Sequence, residues 1–315
     1  MRKGPAYLFA LASGVLTALA FPKLSLAFLA WTSLIPLLYA LAKSPPGRAF
    51  GLGLTAGVGF YGVLVYWIPD VPAHYGGMSY ALSLLIYLAM IVFLGLFWAL
   101  FALVFRAAQR AFPTAAWLAA PFFWVGIEFA VTHVFTGFPW GLLGTSQYLN
   151  IPLIQTATLA GAYGISLLLV LLQATFVLAV TRRKKDPFFF ALGLLALAHG
   201  WGAYAIQRTS TELAAATGAS FPAAVIQGNV SSDISSDAVE PGEVRRLFEE
   251  HMALTRQAYD QGARLIIWPE FTVPLCFSCA GEPDESMKTA LQDYVRHSGA
   301  TLFLGTNEQA GPPEN

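Results

Sequence analysis

Arg264-Leu-Ile-Ile-Trp-Pro-Glu270 is the stretch on which the reading of this chain turns. Leu265 to Trp268 is a short run of apolar β-formers without polar alternation, the pattern of a central strand buried between two layers. Pro269 has no amide hydrogen to give a ladder and ends the strand. Glu270 therefore stands at the carboxyl end of a buried strand, where open α/β sheets place their ligands. A surface Glu after a turn carries the same local pattern, so the rest of the chain has to decide between a site and a bystander.

The flanking residues alternate between strand and helix signals. Ala223 to Gln227 reads as a short strand closed by Gln227-Gly228-Asn229, where glycine permits a tight turn. From Glu243 to about Gln261, the apolar residues Val244, Leu247, Phe248, Met252, Leu254 and Tyr259 recur at roughly helical spacing after Pro241-Gly242. A second helix is predicted from about Asp284 to Ser298, with Met287, Leu291, Tyr294 and Val295 on one face. Gly299 ends it, and Thr301 to Leu304 forms a third strand stopped by Gly305. Strand, helix, strand, helix, strand predicts the first part of a layered α/β domain with parallel strands over residues 221–315. It reaches Gly311-Pro-Pro-Glu-Asn315 without a closing element.

Upstream the solvent changes. Of the 315 residues 56% are hydrophobic and 11% charged, against roughly 25% charged in a soluble domain. Residues 1–205 hold three acids, Asp70, Glu128 and Asp186, and the other 15 of the 18 follow. Lipid is implied for the first part and water for the second. Seven apolar runs are expected to span: Pro5 to Ala20, Leu24 to Leu41, Ala49 to Ile68, Tyr80 to Phe105, Ala115 to Val131, Ile154 to Val180 and Pro187 to Ile206. The first is read as a retained span, because Phe21-Pro22-Lys23 lacks a small-x-small cleavage pattern. The third carries Gly51, Gly53, Gly57, Gly59 and Gly62 at spacings that allow close helix contact. This assigns residues 1–208 to a polytopic helical membrane domain, residues 209–220 to a small polar linker, and residues 221–315 to the α/β part.

Charge fixes an orientation. With the N-terminus in the cytoplasm, ten basic residues face that side: Arg2, Lys3, Lys43, Arg48, Arg106, Arg110 and Arg182-Arg-Lys-Lys185. The opposite loops before residue 206 carry Lys23 alone. By the positive-inside rule, seven spans then deliver the α/β part to the periplasm, or outside a single-membrane cell. No basic groove or stripe accompanies the balanced net charge, so a nucleic-acid partner is set aside.

Three further features invite chemistry. Thr132 to Asn150 is richer in aromatic and turn residues than a plain connector, with Gly137-Phe-Pro-Trp140 and Gln147-Tyr148. It reads either as an interfacial belt with a re-entrant turn or as a lip that guides a lipid substrate from the bilayer. Glu128, in the fifth run, is a site hypothesis by default, although near the interface it can snorkel or bond to a neighbouring helix. Cys276 and Cys279 have C-x-x-C spacing but no second Cys/His pair, so loop cysteines without chemistry, a local disulfide or redox pair, and half a metal site stay open. The histidines lack the company of a metal site, and no metal or cofactor is expected.

Taken in this order, the runs, Gly137-Phe-Pro-Trp140, Val225-Ile-Gln-Gly-Asn229 and Leu265-Ile-Ile-Trp-Pro-Glu270 resemble the apolipoprotein N-acyltransferase family. The resemblance implies a polytopic α-helical membrane domain followed by the first part of a nitrilase-like αββα sandwich, set in the cell inner membrane. It implies that Glu270 is the general base of a Glu-Lys-Cys triad, with the Lys and the nucleophilic Cys falling beyond Asn315. Lys288, Cys276 and Cys279 come too soon after Glu270 to fill those places, so no catalytic role is expected of the two cysteines. Trp140, with Phe138 and Pro139, is implied to lie near the lipid entrance. The implied partners are membrane lipids, a phospholipid acyl donor such as phosphatidylethanolamine, and the diacylglyceryl apolipoprotein acceptor. An inactive truncated product or a non-enzymatic membrane scaffold is the alternative, while transport is disfavoured because charges inside the spans are nearly absent.

Overall fold

Uninterrupted apolar sequence folds here into long helices, and the breaks fall where polar side chains can receive the freed backbone groups. The computed structural model describes residues 1–215, 218, 220–229, 241–270 and 284–305, and the chain divides into two units, Met1–Ala215 and Ala216–Asn315. The first unit comprises α1 (Lys3–Leu19), a 3₁₀ turn (Ala27–Trp31), α2 (Ile35–Lys43), a 3₁₀ turn (Pro46–Arg48), α3 (Ala49–Leu64) and a short α4 (Asp70–His74). It continues through α5 (Tyr80–Ala111), α6 (Ala115–His133), a 3₁₀ turn (Leu143–Gln147), a short α7 (Ile151–Ile154), α8 (Ala157–Arg182) and α9 (Asp186–Ala215). Among the described residues α5, α6, α8 and α9 are long and apolar enough to cross a membrane. The 17 residues of α1 and 16 of α3 reach about 25 Å at ~1.5 Å per residue, short of a ~30 Å hydrocarbon core.

The second apolar run is not one continuous helix. It breaks between the 3₁₀ turn and α2, and the break is met by Gln173 of α8, which accepts from Leu34 N (2.7 Å) and donates to Ala30 O (3.0 Å). Ser13 of α1 donates to Ser33 O at 2.6 Å. Irregular backbone at membrane depth is tolerated where protein groups satisfy it, and side chains of α1 and α8 combine to do so. The periodicity of the run gives no sign of this break, because the partners come from elsewhere in the chain. The last helix also runs beyond its apolar stretch: Thr209 to Ala215, within the predicted linker, continue α9, supported by an Arg208–Glu212 ion pair one turn apart at 2.7 Å.

The glycines of α3 set the closest helix contacts. A Cβ at Gly57 would lie 2.7 Å from Gly95 Cα of α5, and one at Gly53 would lie 2.5 Å from the Trp98 carbonyl oxygen. Backbone rather than flexible side chain would have to move. We expect Gly57→Leu to separate α3 from α5 and cost about 1–3 kcal/mol or more. Thermal unfolding in detergent checks this, and a variant as stable as the parent would show that the contact does not hold the bundle together.

In the second unit β1 (Ala223–Val225), α10 (Pro241–Asp260), β2 (Leu265–Ile267), α11 (Asp284–Ser298) and β3 (Thr301–Phe303) follow in order. The sheet order is β1-β2-β3 with both pairings parallel, so the predicted central strand is central. Ile266 is fully buried with Val244, Leu247, Phe248 and Met252 of α10 and Met287 and Leu291 of α11. Both helices thus cover the same face, as two crossovers of one hand require. Leu265 and Ile267 are only half-buried, and on their face Val225 and Phe303, in register with Ile267, are 74% and 68% exposed. Among the described residues, one face of the sheet is covered.

Candidate functional site

At the carboxyl edge of the sheet the three strands end side by side. Ile226 N donates to Ile267 O (2.8 Å) and Trp268 N donates to Phe303 O (2.9 Å), which carries the pairing one residue past each strand. Trp268 then turns into the core: it is 3% exposed, and its Nε1 donates to Thr255 Oγ1 of α10 at 2.8 Å. Its indole lies 5.2 Å from the ring of His251, a fully buried side chain whose Nδ1 donates to Leu247 O at 2.8 Å. The His251 ring fills the space a Cβ at Gly228 would need, which requires glycine in the turn after β1. Glu270, two residues beyond Trp268, is exposed beside Gly305, where a Cβ would lie 3.3 Å from the Glu270 Cα. Buried Trp268 thus fixes the strand end and leaves the carboxylate outside on the edge where β1, β2 and β3 finish. Among the described residues no hydrogen bond or ion pair engages that carboxylate. Cys276 and Cys279 lie outside the described residues.

The first unit holds a second set of candidates. After α6 the chain folds back on itself, with Phe138 N donating to Val131 O at 2.8 Å. Gly137 at φ 74° and Gly141 at φ 84° adopt the left-handed backbone these turns demand. Phe138 meets Tyr61 edge-on at 6.3 Å and stacks with Trp140 at 6.1 Å, while Trp140 lies 5.2 Å from Trp67. Trp140 is 52% exposed and Pro139 is exposed, so an aromatic shelf supports an outward-facing lip. The lip residues Phe138 and Trp140 are brought together; Glu270 belongs to the other unit.

Glu128 holds this loop. It is 7% exposed, and its Oε1 accepts from Trp124 Nε1 (2.9 Å) and from Leu143 N (2.7 Å). Next to that anchor Gly144 N donates to Ser166 Oγ of α8 at 2.8 Å, and a Cβ at Gly144 would collide with the Ala162 carbonyl. Glu128 does not snorkel: it ties α6 to the loop that carries Trp140. Among the described residues its other oxygen, Oε2, has no hydrogen-bond partner, and Glu128 with Phe60, Tyr61, Trp98, Trp124 and Trp140 lines a cavity of about 20 Å³, room for about one water. Ser166 and Gly144 were not singled out from the sequence. A serine among the few polar residues of a mostly apolar span is the available signal, and its partner is set by tertiary packing. Among the described residues no group of three His, Cys, Asp or Glu side chains could hold a metal.

Comparison with known proteins places residues 13–175, which run from the last two turns of α1 through most of α8 and include the whole lip, in a match to the apolipoprotein N-acyltransferase N-terminal domain. The apolipoprotein N-acyltransferase of Geobacter metallireducens is 33% identical over 283 residues, covering 86% of this chain and 52% of that protein. That of Coxiella burnetii is 31% identical over 274 residues, covering 84% and 53%, and that of Nitrosomonas europaea 30% identical over 285, covering 88% and 53%. The chain spans about half the length of the curated relatives it matches.

Proposed function

The chain belongs to the apolipoprotein N-acyltransferase family, and from that premise we propose that it serves phospholipid-dependent N-acylation of the N-terminal diacylglyceryl-cysteine of apolipoproteins, with Glu270 as the general base. The observation that carries the reading is the placement of Glu270: an exposed carboxylate at the carboxyl end of the central strand of a parallel sheet, in a chain whose helical unit matches the family. The Lys and the nucleophilic Cys belong to the remainder of the family's length. Glu270 takes the thiol proton as the sulfur attacks the sn-1 ester carbonyl of a phospholipid such as phosphatidylethanolamine. The carbon–oxygen bond breaks, the proton passes to the departing alkoxide, and a thioester and a lysophospholipid result. The α-amine of the acceptor then attacks the thioester, Glu270 takes the amine proton, and the thiolate leaves. The cationic Lys stabilises the tetrahedral oxyanion in both steps.

Trp140, Phe138 and Pro139 form the lipid entrance in this reading. Their support is the exposed indole on an aromatic shelf at the end of a membrane-length helix. Both substrates are lipid-anchored, so a membrane body supplies proximity. The sheet face of Val225, Ile267 and Phe303, uncovered among the described residues, would take the second sheet of an αββα sandwich. Mass spectrometry of a protein extending this chain through the family's full length, incubated with phosphatidylethanolamine, tests the function. An acyl thioester that a diacylglyceryl-cysteine peptide discharges is expected, and a folded protein that forms none would remove the assignment.

The reading also needs seven spans with the N-terminus in the cytoplasm and the second unit in the periplasm, the arrangement favoured by ten basic residues on one side against Lys23 on the other. A periplasmic reporter enzyme fused after Ala215 is therefore expected to be active, and a cytoplasmic one silent. The reverse pattern would overturn the placement of Glu270 outside the membrane.

A further inference from the structure

At the end of the helical unit where α2, α5, α6 and α8 converge lies a cavity of about 260 Å³, lined by Lys43, Arg106, Gln109, Trp117, Thr181 and Arg182 with Ala42. The cavity is far larger than the roughly 10–15 Å³ that one water needs, and three of its lining side chains are cations. A fourth, Arg110, lies within electrostatic range of Arg106, as does Arg182. Among the described residues none of these four is in an ion pair. The acids of the helical unit are few: Glu128 is bonded to Trp124 and Leu143, Glu212 is paired with Arg208, Asp70 opens α4, and Asp186 opens α9. Like charges are thus gathered on a cavity that, among the described residues, no acid lines.

Helix ends account for part of this arrangement but not for its centre. Lys43 and Arg182 sit in the last turns of α2 and α8, where the helix dipole favours cations. Arg106 is five residues short of the end of α5 at Ala111 and gains little there. Its guanidinium is instead held in place: Nη2 donates to Ser44 O at 2.9 Å and Nη1 to Gln109 Oε1 at 2.9 Å. Its Nε is buried and, among the described residues, has no hydrogen-bond partner, and the same holds for Ser44 Oγ. A fixed guanidinium with an unused donor, flanked by a lysine and a second arginine, suits a group with several acceptor oxygens and more than one direction of approach, which a phosphate has and a single planar carboxylate does not.

We propose that this cavity binds a phosphate group, carried by an anionic phospholipid headgroup of the adjoining leaflet or by free phosphate. Basic pockets between transmembrane helices take lipid headgroups in this way. The site is separate from the aromatic lip: α6 begins beside the cavity and ends at the lip, and its 19 residues span about 28 Å at ~1.5 Å per residue. The inference does not rest on acyl transfer.

Native mass spectrometry of the 315-residue protein in neutral detergent, titrated with phosphatidylglycerol or phosphatidylethanolamine, tests it together with thermal unfolding in phosphate against chloride at equal ionic strength. One phosphatidylglycerol is expected to bind at least roughly tenfold more tightly than phosphatidylethanolamine, and Lys43→Gln with Arg182→Gln to remove that preference. Both side chains are exposed, so the double variant should keep the parent's helical circular dichroism. Stabilisation by inorganic phosphate without a lipid preference would identify free phosphate as the ligand. A parent with neither response would overturn the proposal, whatever the variant does. So would a double variant that binds phosphatidylglycerol as the parent does, since the lipid would then be held elsewhere on the surface.

Discussion

Glu270→Gln, placed in a protein that extends this chain through the family's full length, is expected to slow thioester formation from phosphatidylethanolamine by about 10²- to 10⁴-fold. That range corresponds to roughly 3–5 kcal/mol of lost transition-state stabilisation. Glutamine keeps the shape and one carbonyl acceptor but cannot take a proton. Glu270 is exposed at the end of β2 while the neighbouring core is closed by Ile266 and Trp268, so membrane accumulation should match the parent. Mass spectrometry of purified protein over a time course separates the outcomes: an adduct formed at near the parent rate would take Glu270 out of the mechanism. In the same protein, serine at both Cys276 and Cys279 should leave the adduct in place.

A second large effect is expected at Glu128. Leucine there fills a similar volume but withdraws the acceptor from two buried donors, Trp124 Nε1 and Leu143 N. Orphaning each costs about 1–3 kcal/mol, so Glu128→Leu should destabilise the helical unit by about 2–6 kcal/mol. For a unit of this size, each kcal/mol lowers the unfolding temperature by roughly 2–4 °C. Glu128→Gln keeps a carbonyl oxygen for both donors and should lose much less. Because Leu143 follows Trp140 in the loop, the leucine variant should also make the segment from Thr132 to Tyr148 more susceptible to protease. Unfolding of the leucine variant at the parent temperature would show that Glu128 does not anchor the lip.

The contrast between these two glutamates shows where sequence reading reaches and where it stops. The strand Leu265–Ile267, its central position and its stop at Pro269 follow from local rules: an apolar run without alternation, and a proline that cannot donate. The helices of both units were legible for the same reason, since apolar length and 3.6-residue spacing are properties of consecutive residues. Glu270 could be placed at the strand end because that position is one-dimensional. Whether Glu128 snorkels or bonds inward could not be read, because its partner Leu143 is 15 residues away across a turn and its choice depends on how closely α6, α8 and the loop approach. The break in the second apolar run belongs to the same class: only when Gln173 of α8 arrives, 139 residues beyond Leu34, does a non-helical backbone become affordable there. Local propensity and periodicity thus determined the strands and most of the helical segments. Tertiary structure decided which buried polar atoms meet, because in a low-dielectric interior a polar group's position is set by the partner that satisfies it.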